Sequence, residues 1–195
     1  MVIETCTDLS SGHTHPNGAA SDALVATNID WLQQALSLVN QIDDATFSSS
    51  PKGLAPHRVG SQLRHVLEFY DCFLSGLELS RIDYDARKRD DTLERSRHSA
   101  AAKICSIIHR LEEASTLPKD AMLAVRMENA DEDVYLSSSV GRELQALSSH
   151  TIHHFALIAV TLRLHGLEVD PTFGVSPSTL RYQATSSARV STEAA

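Results

Sequence analysis

Apolar residues return every three or four positions in four long stretches of this chain, a period that commits most of it to amphipathic helices. In SDALVATNIDWLQQALSLVNQI (21–42), Leu24, Ile29, Leu32, Leu36 and Val39 keep that spacing, and Ser21 and Asp22 are available as N-caps. The second stretch, VGSQLRHVLEFYDCFLSGLEL (59–79), carries its stripe on Leu63, Val66, Leu67, Tyr70, Phe73, Leu74 and Leu77. The third, 92–114, turns Leu93, Ala100, Ile104, Ile107, Ile108 and Leu111 inward. The fourth begins near Ser138 or Ser139, runs to His165 and stops at Gly166. Four such helices with one long connection predict an all-α fold, a four-helix bundle.

Between the third and fourth helices the period changes to two. Leu123, Val125 and Met127 alternate before NADED, and Val134 and Leu136 after it, which predicts a short β-hairpin before the last long helix. At 195 residues the chain has room for one good core. Residues 1–20, rich in Ser, Thr, Gly, His and Asn, read as a flexible arm, and 21–183 as the helical domain. The segment EVDPTFGVSPSTLRYQ reads as extended around its prolines, and 184–195 as a disordered tail.

Composition removes several classes of function. A net charge of -8 argues against a nucleic-acid partner held by its phosphates, and 5% aromatic residues against a base-stacking surface. The longest apolar run, FALIAV, is far short of a membrane span. Cys6, Cys72 and Cys105 are odd in number and form no CxxC pair, and the first residues lack a secretory signal, so a reducing cytoplasm is expected.

The chemistry concentrates in SSHTIHHFALIAVTLRLHG on the fourth helix. Positions four apart differ by about 40° around a helix, so His150 and His154 project from one face on successive turns. That spacing lets two imidazoles hold one metal ion. Leu147, Ile158 and Leu162 point the same way, so the pair looks inward, whereas His153 points elsewhere. His65, on the second helix beside Val66 and Leu67, offers a third nitrogen from a facing helix. A polar wet end of a helix is the competing explanation for these histidines.

RHVLEFYDCFL on the second helix and ELQALSSHTIHHFALIAVTLRLHG on the fourth resemble the DinB/YfiT-like metalloprotein superfamily, over roughly residues 22–182. The resemblance implies a DinB-like four-helix bundle with a divalent metal, zinc, nickel or iron, on His65, His150 and His154. It further implies a metal-dependent enzyme that activates a water or a low-molecular-weight thiol, of hydrolase or S-transferase type, acting on a small molecule. Homodimers are common in that superfamily, and the hairpin or FGVSPSTLRY could supply the contact. A non-catalytic metal-binding protein or a structural helical dimer module is the alternative.

Glu143, seven residues before His150 on nearly the same face, is the candidate general base. Glu68 and Asp71, three and six residues after His65 on the same helix, are further carboxylates beside the candidate ligands or on the surface. Arg87 and Arg89, in the polar stretch Asp83–Asp90, are candidates for an anionic group of substrate or thiol, and Arg64 for a carboxylate on a neighbouring helix. His57 is expected near the same end of the molecule. His98, His109 and His165 are expected away from the site, and His13 and His15 lie in the arm.

Overall fold

The apolar stripes fold as helices whose buried faces meet in one hydrophobic core. The computed structural model describes residues 18–52, 57–128 and 134–193, with side chains from Ala23 to Ser186. Cys6, His13, His15 and the NADED turn therefore lie outside the described residues. The order is α1 (Gly18–Gln41), α2 (Asp44–Ser48), α3 (Val59–Gly76), β1 (Arg81–Asp83), α4 (Thr92–Arg95), α5 (Arg97–Glu113), a 3-10 turn, β2 (Met122–Arg126), β3 (Leu136–Ser139), α6 (Val140–Leu164) and α7 (Pro177–Glu193). The chain is mostly helical with one small sheet. Helix α1 packs on α5 and α6, and α3 packs on the same two. No helix among the described residues is long and apolar enough to cross a membrane.

The buried face of α1 is rotated from the stripe read in the sequence. Val25, Asn28, Trp31, Leu32, Ala35, Leu36 and Val39 are buried, and Leu24 and Ile29 sit at the margins. The cause is Asn28, a polar residue that no apolar pattern reveals. Its amide donates to the Leu24 and Leu144 carbonyls (2.8 and 3.1 Å), and its oxygen accepts from the Tyr70 hydroxyl (2.7 Å). The stripes of α3 and α5 fall where expected, with Leu77 partly buried.

The helix expected over 92–114 is two. Ser96 leaves helical geometry (φ -125°, ψ 110°), and its side chain accepts from the Ser99 N–H to start α5 afresh. The hairpin expected before the last helix is part of a three-stranded sheet. Strands β2 and β3 pair antiparallel from Met122↔Ser139 to Val125↔Leu136, and β1 adds to β2 in parallel. Three residues, Arg81–Asp83, are too few to display a period. Helix α6 starts at Val140, where Ser139 accepts from the Arg142 N–H (3.3 Å). It ends as expected: Gly166 takes φ +81°, and the Leu167 N–H returns to the Leu162 carbonyl (3.0 Å).

The segment after Gly166 is extended only in part. From Pro177 it is helical, and α7 reaches into the tail expected to be disordered. Ser176 caps it through the Thr179 N–H (3.2 Å), and Pro177 occupies the first position, where a missing N–H costs nothing. The same proline that breaks an extended pattern thus opens a helix.

Gly60, in the first turn of α3, brings that helix against α4. A Cβ there would lie 2.2 Å from the Glu94 carbonyl oxygen and 2.8 Å from the Phe47 ring. Gly60→Ala is therefore expected to cost about 1–3 kcal/mol through forced displacement of backbone. Urea unfolding would measure it, and unchanged stability would contradict so close a contact.

Candidate metal centre

Two elements build the site. Helix α3 carries His65, and α6 carries His150 and His154 one turn apart. The three ring centroids stand 5.0, 4.7 and 4.5 Å from one another for His65–His150, His65–His154 and His150–His154. One ligand nitrogen from each ring lies within 4.8 Å of the other two. His153 is exposed and outside this group, although its ring is 5.2 Å from that of His154.

Burial holds all three rings neutral. Desolvation pushes His65 down to about 4, helped by the Arg87, Arg64 and Arg89 guanidiniums. It takes His150 to about 3, with His154 and His65 adding, and His154 to about 4, with His65 and His153 adding. Neutral imidazoles keep the lone pairs a metal requires. The His154 Nδ1 is 2.6 Å from the Gln62 Oε1. An amide oxygen only accepts, so Nδ1 carries the proton and Nε2 keeps the lone pair that a metal would take. The His150 Nδ1 is buried with no hydrogen-bond partner. A buried ring nitrogen without a partner, in a group of three imidazoles, fits a divalent ion.

One flank of the cluster is aromatic. The Phe69 ring stacks on His150 at 4.2 Å and tilts against His65 at 4.9 Å. Tyr84 stacks on Phe69 at 5.0 Å, and the Arg87 guanidinium lies 4.9 Å from the same ring. The other flank opens into a cleft of about 560 Å³ that His65 and His154 line together with His57, Arg58, Ser61, Gln62, Arg64 and Glu94.

No family model matches the chain. Among curated proteins, FK506-binding protein 5 of Rhizopus delemar is 38% identical over 105 residues, which is 52% of this chain. The chain spans 27% of the length of that fungal relative.

The carboxylates take other places than the imidazole cluster. Glu143 is buried: its Oε2 accepts from the Tyr84 hydroxyl (3.0 Å), and its Oε1 from the Ser138 hydroxyl (2.5 Å). Seven residues of helix separate it from His150, about 10 Å along the axis. Glu143 is not among the side chains whose ligand atoms meet there. It ties α6 to β3 and to Tyr84, whose phenol burial and Glu143 push upward in pKa. Glu68 is buried as well, and burial raises its pKa. It accepts from the Asp90 N–H (2.9 Å) and pairs with Arg64 (3.5 Å) and Arg87 (3.8 Å). Asp71 faces α5, bound to Arg110 (2.7 Å) and Lys103 (3.4 Å).

Of the two candidate anion-binding arginines, Arg87 lies at the aromatic flank and donates to the Tyr84 carbonyl (2.7 Å), whereas Arg89 is exposed. Arg64 reaches α4 as expected, meeting Glu94 at 2.9 Å and Asp91 at 3.2 Å. His57 lines the cleft. His98 and His109 are exposed, and His165 caps the far end of α6.

Gln62, Phe69 and Tyr84 are the functional neighbours that the sequence reading misses. Gln62 and Phe69 carried a usable signal, since they lie three before and four after His65, on its helical face. Tyr84 carried none, because a strand of three residues delivers it.

All three imidazoles have folded-state pKa values below that of free imidazole, so the unfolded chain takes up protons first as the pH falls. Their contribution to stability is complete above about pH 6.5 and declines toward pH 4. The metal-free protein is expected to lose on the order of 5 °C in Tm across that window. A His65→Gln, His150→Gln, His154→Gln variant should lose less, by calorimetry. Equal losses would contradict the burial of these rings.

Proposed function

We propose that this chain is a DinB-like metalloprotein, its four long helices forming a four-helix bundle that holds a divalent ion on His65, His150 and His154. The observation that carries this reading is the approach of three neutral ring nitrogens within 4.8 Å, drawn from two helices. When bound, such an ion would supply Lewis acidity, enough to generate a nucleophile from water or a low-molecular-weight thiol near neutral pH. The reaction is then of hydrolase or S-transferase type on a small molecule.

This chain's own residues do the positioning. Gln62 fixes the His154 tautomer and ring plane. Phe69 packs on His150 and His65 and excludes water from that flank. Glu143 acts at one remove: it holds Tyr84, which backs Phe69. The open flank at His65 and His154 admits the substrate, which favours an enzyme over a closed, non-catalytic store. The odd number of cysteines, with no CxxC pair, supports a reducing compartment, as in the cytoplasm. Exposed Met122 and Leu136 on the sheet support a homodimer contact there.

Metal analysis of the purified, untagged protein by mass spectrometry tests the reading. About one ion per chain is expected, and none in a folded His150→Ala, His154→Ala variant. No ion in the parent after incubation with zinc, nickel or iron would overturn the proposal and leave a structural helical module. Gln62→Leu should retain the site with affinity weakened about 10- to 100-fold in chelator competition, and an unchanged affinity would remove Gln62 from it.

A further inference from the structure

The cleft beside the imidazoles has a charge balance that selects its ligand. No Asp, Glu or Cys joins the three histidines among the described residues. The nearby carboxylates are already engaged. Glu68 is held by two guanidiniums and a backbone N–H, and Glu143 by two hydroxyls. Glu94, which lines the cleft, lies 2.9 Å from Arg64. An ion on three neutral donors therefore keeps its full positive charge, with no acidic ligand to offset it.

Arg58 is the unspent cation of this cleft. It stands at the N-cap of α3, and its side chain is 40% exposed. Among the described residues its ion pair is a loose one, 3.9 Å to Glu94, an acid that Arg64 holds more tightly. Arg64 itself is engaged with Glu68, Asp91 and Glu94. A single, loosely held guanidinium fork matches one carboxylate. A dianionic phosphate would meet Glu94 with the same single cation to offset it. The volume, about 560 Å³, suits a small organic molecule rather than a polymer.

We propose that this cleft takes a small carboxylate-bearing molecule, its carboxylate anchored by Arg58 and its reactive end at His65 and His154. The second half of that statement rests on the metal reading above; the carboxylate anchor does not.

Two isosteric thiols separate the possibilities. Binding of 3-mercaptopropionate and 3-mercaptopropionamide to the zinc-loaded protein would be measured by calorimetry. The acid is expected to bind about tenfold more tightly, the worth of one hydrogen-bonded charge pair. Arg58→Gln should remove that advantage and leave amide binding unchanged, and Arg58→Lys should keep part of it. Arg58 is a partly exposed side chain, so unchanged circular dichroism and Tm would certify folding. Equal affinities in the parent, or an advantage that survives Arg58→Gln, would overturn the proposal. If the protein takes no metal, propionate is titrated into the metal-free form while the imidazole resonances of His57, His65 and His154 are followed by NMR. A shift that depends on Arg58 upholds the carboxylate site even as the metal reading falls, and its absence overturns the site.

Discussion

A single buried hydroxyl sets the register on which the rest of the molecule depends. The Tyr70 oxygen sits in full burial, where it donates to Asn28 of α1 at 2.7 Å and lies 3.2 Å from the Thr151 hydroxyl of α6. Thr151 also reaches the Leu147 carbonyl (2.8 Å), and Asn28 binds the Leu144 carbonyl (3.1 Å). Apolar stripes alone would let α3 slide along α6 by a turn at modest cost, because leucine meets leucine at many offsets. The polar triangle forbids it: a slip strands buried donors and acceptors that each cost about 1–3 kcal/mol. Thr151 follows His150 directly, and Tyr70 stands five residues after His65. The network that fixes the helices therefore fixes the distance between the two halves of the candidate site.

What the sequence made legible follows from the range of each interaction. His150 and His154 could be paired because their relation is internal to one helix, where 100° per residue is a firm rule. Their meeting with His65 is a tertiary fact, expected from the resemblance and from the inward stripes. The α1 stripe was read slightly off its true direction because Asn28 counts as polar until Tyr70 is seen beside it. Glu143 shows the same limit in reverse. Its place on the ligand face was legible, but its partners, Tyr84 and Ser138, come from a short strand and a sheet edge that helical periodicity cannot anticipate. Ser96 and Ser176 are caps that the helical period does not single out: one divides a helix, and the other opens a new one.

Charge around the site follows a consistent pattern. Two buried carboxylates, Glu68 and Glu143, sit within a few residues of the imidazoles along the chain or beside their aromatic flank, and neither joins them. Burying a carboxylate is costly unless several donors surround it. Glu68 finds Arg64, Arg87 and the Asp90 N–H, and in doing so anchors the loop that brings Arg87 to Phe69. Glu143 finds two hydroxyls and joins α6 to the sheet. The acids are thus spent on architecture, and the imidazoles are left in a neighbourhood of guanidiniums, the charges that act most strongly on His65.

Desolvation first, and the charges around the rings second, disfavour protonation and so keep the nitrogens available, but at a cost to the folded chain. Three half-buried imidazoles, one with a buried nitrogen that hydrogen-bonds to nothing, are a net expense in the absence of a ligand. Apolar side chains of similar volume would fill the same space at lower free energy. The arrangement makes physical sense if binding returns what burial takes, since any ligand held by the folded state alone adds its binding free energy to stability. Under that view the site is strained in the thermodynamic sense while the helices that carry it are not. The hydrophobic core and the Tyr70 network hold the rings together against desolvation, and the proposed ion would convert that opposition into affinity.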